Sequence, residues 1–76
     1  MTTAATLMQI QDRLVPGSLP AGDAAIADLE SAMFDAIRAA GIADRITPAD
    51  LETLESRNYH TISRAATILY RQEGKA

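Results

Sequence analysis

The sequence predicts an all-α fold, a small antiparallel bundle of three long helices plus a short one, and three observations carry that expectation. Apolar residues recur at helical spacing through most of the chain. Strand signals are nearly absent: there is one Val, no alternating apolar run and no Asn-Gly turn. The interruptions fall where helix-ending chemistry occurs, at Pro16-Gly17, at Gly41 and near Asn58.

The first helix is expected over 3–14, with Leu7, Ile10 and Leu14 on one face, Met8 and Val15 beside them, and Pro16-Gly17 ending it. A Pro- and Gly-rich loop follows to Gly22. The second helix starts near Asp23, read as its N-cap, and runs to Ala40, with Ile26, Leu29, Met33, Ile37 and Ala40 as its stripe and Asp28, Ser31, Asp35 and Arg38 away from it. Gly41 sits where a C′ glycine belongs, and Ile42 is placed to pack back on Ile37.

The third start is the best-defined local signal. Thr47 is an N-cap, Pro48 occupies the first helical position and Asp50 the third, and Ile46 and Leu51 are spaced as a hydrophobic staple. Leu51, Leu54, Ile62, Ala65, Ala66 and Leu69 stay in phase, but Asn58 falls inside that stripe. A buried amide without a partner costs about 1–3 kcal/mol, so the spacing predicts a break there, giving a short helix over 48–56 and a fourth over 59–72.

The 76 residues make one helical domain, 1–76. Seven Leu, seven Ile, one Val, three Met and one Phe stand against fifteen Ala, so the apolar fraction overstates the area available for burial. With no Cys, disulfides, thiolate metal sites and cysteine nucleophiles are excluded, and helix packing must hold the domain together. The net charge of −3 argues against non-specific binding to nucleic acid, which needs a basic surface. No apolar run is long enough for a membrane span and no secretory leader is evident, so a cytoplasmic, membrane-free protein is expected.

Ile46-Thr47-Pro48-Ala49-Asp50-Leu51 and Asn58-Tyr59-His60-Thr61-Ile62, followed by Ala65, Ala66 and Leu69, set the two ends of the short third helix and the last helix. These segments, and the order helix, loop, helix, short helix, helix in an acidic chain of this size, resemble acyl and peptidyl carrier proteins. The resemblance implies a carrier-type bundle recognised by partner proteins, biosynthetic enzymes among them, through helix two and the loop before it. In that family a Ser in an Asp-Ser-Leu or Asp-Ser-Ile context takes the 4′-phosphopantetheine arm. No Asp-Ser occurs here. Two positions compete for the missing site. Leu29-Glu30-Ser31-Ala32-Met33-Phe34-Asp35-Ala36-Ile37 is similar to the pattern of free-standing carriers, with Ala36 at the modified position between Asp35 and Ile37, and motif length makes it the leading placement. Gly22-Asp23-Ala24-Ala25 places Ala24 at the start of the helix, which helix physics favours. An Ala takes no arm, so the sequence as it stands implies no cofactor, and 4′-phosphopantetheine only if an Ala replaces a native Ser.

Other constellations carry less chemistry. His60 is the only His and has no carboxylate at four residues' spacing, so a solvated or capping role is expected rather than metal binding. No Gly-x-Ser-x-Gly elbow and no Gly-rich phosphate loop occurs, and no catalytic residue is assigned. Arg57, Arg64 and Arg71 recur every seven residues, either as a solvated polar face or as a docking stripe. Asp28 and Asp35, also seven apart, offer a complementary acidic stripe within the chain or in a second copy, which leaves room for a homodimer. Thr61-Ile62-Ser63-Arg64 has a weak likeness to the start of a helix-turn-helix recognition helix, set in an acidic domain without the matching electrostatics. Phe34, with Met33 beside it, reads as a partner anchor at the core edge. The leading expectation is therefore a carrier-like, non-enzymatic binding module docking through Phe34, Met33, Asp35, Arg57, Arg64 and Arg71. The alternative is a small acidic helical inhibitor or adaptor, of the kind a phage or mobile element encodes, and after it a helix-turn-helix DNA-binding protein.

Overall fold

A computed structural model describes residues 2–74 and is helical throughout, with no strand among them. Helix α1 spans Thr3–Leu14, α2 Asp23–Ala39, α3 Pro48–Ser56 and α4 His60–Leu69, and a π-helical turn, Tyr70–Gly74, continues α4. The fourth helix is thus expected correctly at its start but not at its end, where the α-helical ladder widens to a π turn at Tyr70.

Each boundary has a local cause. At α1 the Thr2 hydroxyl accepts from the Ala5 N–H at 3.0 Å. Asp23 is not the N-cap of α2. Gly22 holds that position at φ 95, and Asp23 lies in the first turn, where its negative charge suits the helix dipole. The Thr47 and Asp50 capping box of α3 is complete: Thr47 N–H donates to Asp50 Oδ2 at 3.0 Å and Asp50 N–H to Thr47 Oγ1 at 3.2 Å.

Both α2 and α3 end in Schellman turns. After α2, Gly41 takes φ 73, its N–H reaches Arg38 O at 3.0 Å, and Ile42 N–H reaches Ile37 O at 3.5 Å. After α3, Asn58 takes φ 65, its N–H reaches Glu55 O at 3.1 Å, and Tyr59 N–H reaches Leu54 O at 2.8 Å. The polar residue inside the apolar stripe therefore solves its own problem. Asn tolerates the left-handed conformation, turns the chain, and remains exposed.

Six large side chains are fully enclosed, Leu7 from α1, Met33 and Ile37 from α2, Leu54 from α3, and Ile62 and Leu69 from α4. Every helix contributes to one core, each large side chain supplying about 1.5–3 kcal/mol of burial. Gln11 and Asp12 at the end of α1 bond to the beginning of α4, so α1 runs against α4. Glu30 pairs with Arg64, and Ile26 and Leu29 lie across from His60 and Thr61, so α2 and α4 share a direction. The antiparallel expectation thus holds for α1, while the short α3 returns the chain to start α4 parallel to α2.

Candidate functional site

Where α2 begins, apolar side chains outrun the core. The stripe Ile26, Leu29, Met33, Ile37 continues unbroken in sequence, but only Met33 and Ile37 are buried. Ile26 remains 39% exposed, and Leu19, in the preceding loop, 55%. Together with Leu29, Glu30, His60, Thr61 and Arg64 they line an open groove of about 310 Å³ between the first half of α2 and the first half of α4. Its floor is aliphatic and its rim charged. On that rim Arg64 Nε contacts Glu30 Oε2 at 3.1 Å, with the Glu30 side chain largely covered and the Arg64 side chain largely exposed. A second, wider hollow of about 450 Å³ lies at the far end of α2, among Arg38, Gly41, Ala43 and Asp44.

A polar junction holds the start of α4, whose His60 and Thr61 line the groove. Tyr59 gives α4 no side-chain cap, and α1 supplies one instead, since Gln11 Oε1 accepts from the Ile62 N–H at 2.9 Å. Tyr59 OH donates to Asp12 Oδ2 at 3.2 Å, a bond that holds the phenol above its ordinary pKa. Glu55 reaches from α3 to the first turn of α4, where His60 Nδ1 lies 2.9 Å from its Oε1. Its carboxyl is lowered below the usual range, first by the hydrogen bond from the buried Ser63 and then by that of His60. His60 is exposed, as a solvated or capping residue should be. Among the described residues no three His, Asp or Glu side chains gather closely enough to share a metal ion.

The residues singled out in the sequence separate on this framework. Met33 is fully buried, so its reading as a partner contact is corrected: it is core, because its place on the α2 wheel points between the helices. Phe34 is half-buried against the core edge and Asp35 exposed. Ala36 lies near the end of α2, half-buried and followed by the enclosed Ile37, whereas Ala24 is exposed in the first turn. Arg57, Arg64 and Arg71 are all exposed, but Arg57 sits in the turn after α3 and Arg71 in the π turn. The intrachain partner of Arg64 is Glu30 rather than Asp28 or Asp35, which point outward.

Leu19 escaped the sequence reading. Its one signal is a large aliphatic residue inside a loop of Pro, Gly and Ser. Comparison with family models, with curated proteins and with solved structures finds no match for this chain. No described helix is long and apolar enough to cross a membrane.

Proposed function

We propose that the chain is a non-catalytic binding module of carrier-protein type, recognised by partner enzymes at the start of α2 and the loop before it, and carrying no arm in its present sequence. The observation that carries this reading is the exposure of Leu19 and Ile26 beside the first turn of α2. Two aliphatic side chains left in water in an open groove are what a docking anchor requires, and the charged rim supplies orientation. The order of the helices and the exposed place of Ala24, directly after Asp23, support the carrier comparison. The same geometry favours Ala24 over Ala36 as the position of the lost serine, since an arm must leave from an exposed site.

The reading is tested by restoring a hydroxyl. Ala24→Ser and Ala36→Ser variants are incubated with coenzyme A and a promiscuous phosphopantetheinyl transferase, and their intact masses are measured. A phosphopantetheine increment is expected on the Ala24→Ser protein and not on the Ala36→Ser protein. An unchanged mass for both variants sinks the carrier reading and leaves the inhibitor or adaptor reading to be pursued with Leu19 and Ile26 variants in partner capture.

A further inference from the structure

We infer that the α2 and α4 face is self-complementary and binds a second copy of the chain. The inference shares with the proposed function only the premise that this face is an interaction surface.

Asp28 and Asp35 lie seven residues apart on the outer side of α2, and Arg64 and Arg71 seven apart on the outer side of α4 and its π turn; all four are exposed. At 1.5 Å of rise per residue, each pair spans roughly 10 Å. The Glu30–Arg64 contact sets the register of the two parallel helices, placing residue 30 level with residue 64. In that register Asp28 and Asp35 lie only about 3 Å along the axis from the levels of Arg64 and Arg71. The acidic and basic stripes therefore have one spacing and nearly one height.

This arrangement selects one symmetry. A two-fold axis running along the seam between α2 and α4 lays each α2 over the α4 of the second copy in the same direction. Asp28 then meets Arg64 of the second copy, Asp35 meets Arg71 of the second copy, and both pairs recur by symmetry. An axis across the seam would stack α2 on α2 and set acid against acid. A uniformly charged partner fares no better, because it would match one helix and be repelled by the other. Only a partner bearing both stripes at this spacing satisfies the whole face, and the chain itself is one.

The seam also carries apolar material. Phe34 and Ile68 are half-buried and stand level in the same register, and Leu19 and Ile26 are exposed at one end. Under the two-fold these residues approach their counterparts or the opposite bank of the groove. Exposed ion pairs add little affinity, so burial of these four side chains supplies the attraction and the charge pairs set the register. An ordinary interface takes about 800 Å² from each partner. One face of a chain with 4707 Å² of surface can provide that area.

The test is sedimentation equilibrium of the full chain over a concentration series, with three expected results. At low salt the mass approaches twice that of the monomer, and raising the salt weakens the dimer by about tenfold as the charge pairs are screened. The double variants Asp28→Arg with Asp35→Arg, and Arg64→Glu with Arg71→Glu, are each monomeric while keeping the helical circular dichroism of the parent. An equimolar mixture of the two double variants restores a dimer. A monomeric parent at every concentration overturns the inference and leaves the transferase result untouched. Dimeric variants, or a mixture that remains monomeric, overturn this interface even if the parent dimerises.

Discussion

The two ends of α2 are written in the same alphabet and end up in different environments. Its second half places Met33 and Ile37 at zero exposure, while its first half, with Ile26 on the same stripe, buries no residue. The difference lies in what stands opposite. The second half faces a core fed by all four helices, whereas in the first half Leu29 reaches that core only in part and Ile26 opens onto Leu19 of the preceding loop and the start of α4. A helix stripe records which face is apolar. Its burial depends on how far neighbouring elements reach, and here they stop a turn short. That shortfall makes the groove.

Substitution inside the closed half should have the largest effect. Leu54→Ala removes an enclosed side chain at the meeting of α3 with the core, and a loss of about 2–5 kcal/mol is expected. For a domain of this size that is a large share of its stability, so thermal denaturation should show a much lower or absent transition. A Leu54→Ala protein melting near the parent temperature would mean that the core is not organised around this residue.

The next effect tests the polar junction at the start of α4. Gln11→Ala strips α4 of the cap that α1 provides and leaves the Ile62 N–H without a partner, with an expected loss of about 1–2 kcal/mol by chemical denaturation. Asn58 offers a sharper test. Asn58→Ala puts a Cβ without a polar side chain at φ 65 and should cost about 1 kcal/mol, while Asn58→Gly should be neutral or nearly so. Equal losses for the two would show that the Asn side chain, rather than the backbone conformation, matters there.

These residues also mark how much of the molecule could be read from its sequence. The break at Asn58, the N-cap at Thr47 and the Schellman turn at Gly41 were legible because each is a local event, settled by a few consecutive residues. Gln11 was not, since nothing within α1 shows that its amide will reach a residue 51 positions later. The Glu30–Arg64 pair is likewise tertiary: Asp28 and Asp35 share the arginine spacing, but Glu30 faces α4. At α2 a small error has a clear origin. Asp23 is a favoured N-cap residue, but Gly22 can take φ 95, which moves the cap one residue earlier than expected and Asp23 into the first turn. Of the groove, the sequence showed the α2 stripe but not its exposure.

A pH measurement separates the junction from the rest of the fold. Glu55 is held below the usual carboxylate range by Ser63 and His60, so its contribution is present above that range and is lost as pH falls through the lowered value. Glu55→Gln should therefore flatten the acid limb of a stability-against-pH profile and leave the profile above neutrality with its parent slope. Because the carboxylate is exposed, the change should be smaller than that for Gln11→Ala. An acid limb identical to that of the parent would mean the contact with Ser63 and His60 does not persist in solution.

The smallest effect is the one that decides the comparison. Ile26→Ser places a hydroxyl on the same stripe as Met33 and Ile37, and a pattern-based view of α2 would predict a core-sized penalty. With 39% of Ile26 already in water and the groove open above it, the expected loss in unfolding free energy, measured on monomer at low concentration, is at most about 1 kcal/mol. Binding should respond in the opposite way, because an aliphatic side chain that contributes little to the fold is free to contribute to an interface. A loss above about 2 kcal/mol would place Ile26 in the core and close the groove. A parent-like melt with weakened association would establish that the exposed end of α2 is kept for a partner.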